Sequence, residues 1–377
     1  MSPRELKPLK IAVGCDDLTV PFEGGGKVFS AIAEIFPQAD IFTSMGTPKR
    51  LAEFKNRKVL TTFMQKIPGK RSLQLALAPL YPLAFESLGF SDYDLVVSAS
   101  ARFAHGVITK PETKHVCFMH SPGRMFWEPE DYFGKGSKLK AILAPALSYL
   151  RLWDYTAAQR VDYFIANSQN VARKIKRYYG RESVVVHPFV ELERFTPKKE
   201  LEGEPYFFLL TRLVSWKRVD IAVEAAFQAG IHLKIVGVGK DQKRLESLAK
   251  RLSLGSPGKG KVEFLGGAAD AEVNDLFENC QAFIMTQEED FGITPLEAQA
   301  AGRPVLAYGA GGALETVVEG KTGEFFKEQT ADSLAALLRK FNSKKYDPRA
   351  CRAQAEKFSK EIFQEKINSA VEEALKA

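Results

Sequence analysis

Short apolar runs recur along the chain, and longer stretches of helical period separate them. KIAVGCDD (10–17), DIFTS (40–44), DLVVSAS (94–100), HVCFMHS (115–121) and DYFIANS (162–168) are nearly continuous apolar runs. Runs of that kind are strands buried on both faces, as in parallel sheets. VFSAIAEIF and LKAILAPALSYLRLWDYTAAQRV carry the helical period between them. VVVHPFV (184–190) reads as one more strand, and a charged, Pro-containing connection follows it, which places a boundary near residues 190–204. The alternation then restarts with PYFFLLTRL, HLKIVGVG, VEFLG, AFIMT and PVLAYG. Two successive βαβ series predict an α/β protein with two doubly wound parallel sheets. Ligands bind such sheets outside the carboxyl ends of the strands, so a cleft between the two domains is the expected active site. The last stretch, EKFSKEIFQEKINSAVEEALKA, predicts an amphipathic helix.

Composition narrows the class. A chain of 377 residues is too long for one ordinary core and suits two domains. Hydrophobic and charged fractions of 45% and 26% are those of a soluble globular protein. Cys15, Cys117, Cys280 and Cys351 have no metal-ligand or redox spacing, so they read as buried thiols in a reducing compartment. MSPRELKPLKIAVG lacks the apolar stretch of a signal peptide, and no run reaches about 18 apolar residues. A cytoplasmic location is expected.

The net charge of +7 is concentrated, with eight Lys or Arg and one Glu in residues 49–71. That stretch reads either as a surface for anionic lipid or as a solvated basic face. Binding of nucleic acid has no supporting fold motif.

The richest stretch is EEDFGITPLEAQAAG (288–302). It joins the strand AFIMT to a helix that Gly302 stops. Thr294 and Pro295 suit the N-cap and first helical position, which puts Glu297 at the third and completes a capping box. Glu289 has no such local role. It lies past a strand end, before Gly292, where backbone can approach a ligand closely. The amides of Ile293 and Thr294 suit a phosphate, and two carboxylates beside it suit sugar hydroxyls. That combination fits a nucleotide sugar.

With those residues in view, the stretch resembles the Glu-x7-Glu motif of the retaining GT-B glycosyltransferases of family 4. TRLVSWKRVDIAVEA resembles that family's phosphate-binding segment, with Arg212 and Lys217 in the matching places. PFEGGGK, before VFSAIAEIF, resembles its amino-terminal Gly-rich loop. ANSQNVARKIKRYYGRESVVVHPFVELERF resembles the segment that closes the first domain. DLVVSASARFAHGVITKPETKHVCFMHSPGRMFWE is similar to a bacterial subgroup rich in mannosyltransferases for lipopolysaccharide and exopolysaccharide.

The resemblance implies a GT-B fold with domains 1–190 and 191–355, and with 356–377 returning to the first domain. It implies that Arg212 and Lys217 neutralise a leaving diphosphate, which dispenses with a metal and any other cofactor. Glu289 then contacts the donor sugar and Glu297 the ribose. His120 is the active-site histidine near the sugar, catalytic together with Arg212, Lys217 and Glu289. Gly25, Gly26, Phe264, Leu265, Phe291, Gly292, Ile293 and Thr294 complete the donor site, and His105 lies on the acceptor side.

The partners implied are a nucleotide sugar, GDP-mannose in this subgroup, and a glycan or lipid-linked oligosaccharide at the inner face of the plasma membrane. A UDP-sugar donor, a GT-B epimerase and a catalytically silent glycan-binding relative stay open as alternatives. Asp92-Tyr93-Asp94 precedes a strand and reads as the turn leading into it, not as a metal site. GSPGKGK (255–261) lacks the strand before and the helix after that a phosphate loop needs. DFG (290–292) stands without any other kinase signature.

Overall fold

The structure is a computed structural model that describes residues 9–19, 24–69, 73–134, 136–255 and 260–376. Two compact units divide it, Met1–His187 with Phe363–Ala377, and Pro188–Ile362. The first boundary therefore falls at residue 187 instead of 190, and only the part of the last helix from Phe363 onward joins the first unit.

The first unit carries a seven-stranded sheet in the order β3-β2-β1-β4-β5-β6-β7. Its strands are β1 (Ile11–Cys15), β2 (Asp40–Thr43), β3 (Val59–Thr61), β4 (Leu95–Ser100), β5 (Lys114–Met119), β6 (Tyr163–Ala166) and β7 (Val184–Val185). The second unit carries six strands in the order β10-β9-β8-β11-β12-β13. These are β8 (Phe207–Leu210), β9 (His232–Val236), β10 (Lys261–Gly266), β11 (Phe283–Met285), β12 (Val305–Tyr308) and β13 (Gly323–Phe326). Among the described residues every strand pairing is parallel; Val13 lies opposite Val97 in the first sheet, and Ile284 lies opposite Leu306 in the second. Both sheets are thus doubly wound, and each reverses its strand order beside its first strand.

Burial follows the apolar runs. β4 is buried along its whole length and β5 from His115 onward. Local chemistry sets the helix ends. Ser168 Oγ accepts from Val171 N–H at 3.0 Å and starts the helix Gln169–Tyr179, which Gly180 stops at φ 69°. The predicted C-terminal helix is Lys360–Lys376, and a separate helix precedes it. That preceding helix, Pro348–Glu356, starts on the Asp347 side chain. In the first unit, Phe363 packs edge-on against Phe118 at 5.8 Å, and Tyr163 donates to Glu373 at 2.6 Å.

Two strands have no counterpart in the apolar pattern. β3 lies inside the basic stretch, and β13 is the short GEFF. The basic stretch is therefore partly structural. Arg50 is buried against Glu53, and Arg57 donates to the carbonyls of Ala33 and Phe36 at 2.7 and 3.0 Å. Lys70 and Arg71 lie outside the described residues. All four cysteines are free and buried, as their scatter suggests.

Candidate active site

The second sheet reverses direction between β8 and β11, so the crevice outside the carboxyl ends of those two strands is the favoured ligand position. Arg212 and Lys217 follow β8, and Glu289 follows β11. Lys217 is buried, and its ammonium forms an ion pair with the Glu289 carboxylate. Gln287 Nε2 also donates to Glu289 Oε1, at 3.0 Å. Lys217 Nζ stands 4.1 Å from the centre of the Trp216 ring. The backbone below is tied down as well, since Thr286 Oγ1 donates to the Lys217 carbonyl at 3.0 Å.

Arg218, next in line, is the one residue other than glycine with positive φ among the described residues, at 50°. Its side chain is held against Asp220 at 3.2 Å. Such strain is retained where surrounding contacts fix it, and here it fixes the turn that carries Lys217. Arg212 is exposed, and its guanidinium has no hydrogen-bond partner among the described residues. Its loop is braced by Leu213 N–H donating to Val238 O at 3.0 Å and Asp241 N–H donating to Leu213 O at 2.9 Å.

The Glu289–Glu297 segment keeps its shape but not all its expected roles. Gly292 has φ 84°, a conformation for which glycine is the natural choice. The helix runs Thr294–Ala300 with Ile293 as N-cap, so Thr294 is not a cap. Glu297 N–H already bonds Ile293 O at 3.0 Å, one step later than the capping box requires. The Glu297 carboxylate instead accepts from Arg194 Nη1 at 3.3 Å, and Arg194 also reaches Asn274 at 3.0 Å. The Phe291 side chain is buried in the core, tilted on Phe358 at 6.0 Å, so only its backbone is left to meet a donor. Phe264 packs on the core, while Leu265 is exposed.

The sequence reading passed over one element here. The loop Gly309–Gly312 after β12 lies against the Glu289 loop, with Gly312 N–H donating to Glu289 O at 2.9 Å. A side chain at Gly312 would meet Phe291 O at 2.2 Å. The glycine cluster following a strand was the available signal.

In the first unit the reversal lies between β1 and β4. There Asp16 accepts from the amides of Ala101, Phe103 and Ala104 at 2.7, 2.8 and 2.7 Å. Asp17 pairs with Arg102 at 3.0 Å. These aspartates were not singled out either, although CDD at the end of an apolar run marks them.

His120 follows β5, half-buried and edge-on to Phe118 at 5.1 Å. Burial lowers its pKa to about 4, against an opposing pull from Asp16, so the ring is neutral at pH 7. Gly24, Gly25 and Gly26 open the helix Gly24–Ile35, while Pro21, Phe22 and Glu23 lie outside the described residues. A side-chain carbon at Gly25 would stand 3.8 Å from His120 Cε1 and Nε2. The two residues therefore adjoin.

His105 is a correction. It is fully buried between Ser100 Oγ at 3.0 Å and Asp154 Oδ1 at 3.2 Å, so it cannot touch an acceptor. Asp154 Oδ2 in turn accepts from Trp127 and Tyr179, each at 2.6 Å.

The decoys have structural explanations. Asp94 accepts from Lys10 N–H at 2.7 Å at the amino end of β4, away from the ligand side of the sheet. A helix ends at Gly255 and β10 begins at Lys261, the reverse of a phosphate loop; residues 256–259 lie outside the described set. Among the described residues no His, Cys, Asp or Glu cluster could hold a metal ion.

Comparison with known proteins identifies the scaffold. The family described as Glycosyltransferase Family 4 matches residues 24–194, and Glycosyl transferases group 1 matches residues 190–358. The chain belongs to the group 1/family 4 glycosyltransferases. The alpha-1,3/1,6-mannosyltransferase ALG2 of Dictyostelium discoideum is 36% identical over 200 residues, 46% of this chain and 46% of that protein. The glycogen synthase of Pseudomonas aeruginosa is 33% identical over 143 residues, 37% of this chain and 27% of that protein. The chain thus spans about a quarter to about a half of the length of the curated relatives it matches. Among solved structures, Anabaena HepE in complex with UDP shares the fold with a TM-score of 0.69 and 20% identity, covering 97% of this chain and 100% of that one. The two parallel-sheet units and these GT-B neighbours make the fold GT-B.

Proposed function

We propose that this family member is a retaining, metal-independent glycosyltransferase. It moves mannose from GDP-mannose to a glycan or lipid-linked oligosaccharide acceptor in cell-surface polysaccharide synthesis. The observation that carries the reading is the pairing of Lys217 with Glu289, beside Arg212, where the second sheet reverses. A diphosphate there draws charge-assisted hydrogen bonds from Arg212 and Lys217. As the bond between the anomeric carbon and the phosphate oxygen breaks, its electron pair stays on that oxygen. The two cations stabilise the charge that develops.

An acceptor hydroxyl attacks the same face of the anomeric carbon and gives its proton to the departing phosphate, which retains configuration. Glu289 holds sugar hydroxyls, and Glu297 holds the ribose. His120, neutral at pH 7, serves as a hydrogen-bond partner of the sugar and not as an acid.

The mannose assignment is supported by the likeness to ALG2 and by the subgroup resemblance of residues 94–128. A UDP-sugar donor is the second reading, because HepE is solved with UDP and with UDP-glucose. Calorimetric titration of the purified protein with GDP, UDP, ADP and dTDP separates them. A preference for GDP supports mannose, and a preference for UDP removes it while keeping the transferase. Binding of none by folded protein argues against a nucleotide site in this chain.

A further inference from the structure

In the first unit, the helix Lys138–Ala158 buries one face and leaves the other without charge from Ala141 to Thr156. Leu147, Leu150 and Trp153 face the core, whereas Ile142, Pro145, Tyr149 and Leu152 are exposed at spacings of three and four. Ile142 is 75% exposed and Leu152 66%, large values for aliphatic side chains with no function. Between Ala141 and Thr156 every exposed position is uncharged. The segment before β4 extends this surface. Leu77, Ala78 and Tyr81 join Leu147, Leu150 and Trp153 in one core cluster, and Leu80 and Leu83 point outward at 40% and 60% exposure. Of the nineteen large hydrophobic side chains exposed among the described residues, eleven lie in 63–83 and 132–155. That concentration is more than scattered surface leucines would give.

The charge of the same two segments selects the occupant. Residues 63–83 hold three Lys or Arg and no Asp or Glu, and residues 132–155 hold four with one acid, Asp154, which is fully buried. Lys66 and Lys138 are exposed at their edges. A two-fold pairing of this face with a second copy would set like charges against one another. An anionic bilayer answers both features: apolar side chains enter the headgroup boundary and the cations meet lipid phosphate. Tyr149 and Tyr155, apolar rings with polar tips, suit that depth.

We propose that the exposed face of the Lys138–Ala158 helix, with Leu80 and Leu83, docks the protein on an anionic membrane surface. It places the apolar contact on the helix and on Leu80 and Leu83, outside the basic stretch 49–71; of that stretch Arg50 and Arg57 are spent on the fold, and Lys66 is left to meet lipid phosphate. It deepens the proposed lipid-linked acceptor, but its test does not depend on transfer.

The test is flotation with vesicles of phosphatidylcholine alone or of phosphatidylcholine containing phosphatidylglycerol, at low and high salt. Wild-type protein is expected on the anionic vesicles, with binding weakened by salt. Ile142→Ser with Leu152→Ser is expected to bind about tenfold more weakly at unchanged thermal stability. Lys66→Gln and Lys138→Gln should each cost about fivefold. No preference of wild-type protein for anionic vesicles overturns the proposal, as does equal binding by the Ile142/Leu152 variant. A dimer that this variant dissociates, with no vesicle binding, assigns the face to a second copy instead. Nucleotide titration on the same samples keeps the outcome apart from that of the transferase reading.

Discussion

The ammonium of Lys217 is ion-paired with the carboxylate of Glu289, the cation from the loop after β8 and the anion from the loop after β11. In the proposed mechanism Lys217 would hold the diphosphate and Glu289 the sugar, so this pair joins the two proposed binding groups. On that proposal, a bound diphosphate would compete for Lys217 and leave Glu289 to accept from hydroxyls.

Lys217→Ala should therefore abolish transfer, and it should not be silent in stability. A lysine at an open surface would cost within about 0.5 kcal/mol. Lys217 is 7% exposed, and its loss leaves a partly buried carboxylate with only Gln287 in view, so a cost of about 1–3 kcal/mol is expected. The Lys217→Ala/Glu289→Ala double variant should recover part of that cost. Chemical denaturation of the four proteins reads the coupling. Strict additivity would mean that the pair contributes nothing to the fold.

Glu297→Ala tests a different balance. The helix Thr294–Ala300 does not use Glu297 as a cap, so no capping penalty is due. Arg194 keeps Asn274 and loses one carboxylate, at about 1 kcal/mol or less. Nucleotide affinity, by contrast, should fall about tenfold or more if Glu297 holds the ribose. A variant that loses stability but binds nucleoside diphosphate normally would make Glu297 structural only.

These two residues show how far the sequence carried. The alternation of apolar runs announced both parallel sheets, because strands buried on two faces leave a continuous signature. β3 and β13 escaped because an edge strand of three residues inside a basic run, and a short GEFF, carry no such signature. Thr294-Pro295 resembled a helix start, yet the chain begins the helix around them, a shift of one residue that local propensity cannot resolve. The family resemblance put His105 on the acceptor side. Its burial between Ser100 and Asp154 comes from residues far along the chain, which no local pattern reveals. Asp16 likewise gains its role only when β4 lies beside β1.

Acid should destabilise the first unit. Burial holds His115 at about 3 and His120 at about 4, below the ordinary histidine value of about 6.5. The unfolded chain thus binds protons first as pH falls. The stability these residues contribute is complete above about pH 6.5 and is lost on descending toward their folded values. For fully buried His115 the slope approaches about 1.4 kcal/mol per pH unit. Thermal melts between pH 7.5 and 5, a window of about 2.5 units above most carboxylate titration, should show a lower Tm at the acid end. His115→Gln should flatten that slope, and an unchanged slope would assign the acid sensitivity elsewhere.

Gly25→Ala separates packing from ligand approach. Gly25 is exposed in the first turn of the helix Gly24–Ile35 and does not need positive φ. Its added methyl would meet His120 only at 3.8 Å, an ordinary contact, so nothing in the fold resists it. Alanine is the better helix former by up to about 1 kcal/mol, less near a helix end. Stability should therefore hold or rise. The methyl nevertheless occupies the space beside Cε1 and Nε2 of the ring proposed to touch the donor sugar. Transfer should fall about tenfold in kcat/KM, while binding of the free nucleoside diphosphate, proposed to lie on the second unit, should hardly change. Full activity in a folded Gly25→Ala protein would leave the three glycines as an ordinary turn and would place the sugar on another side of His120.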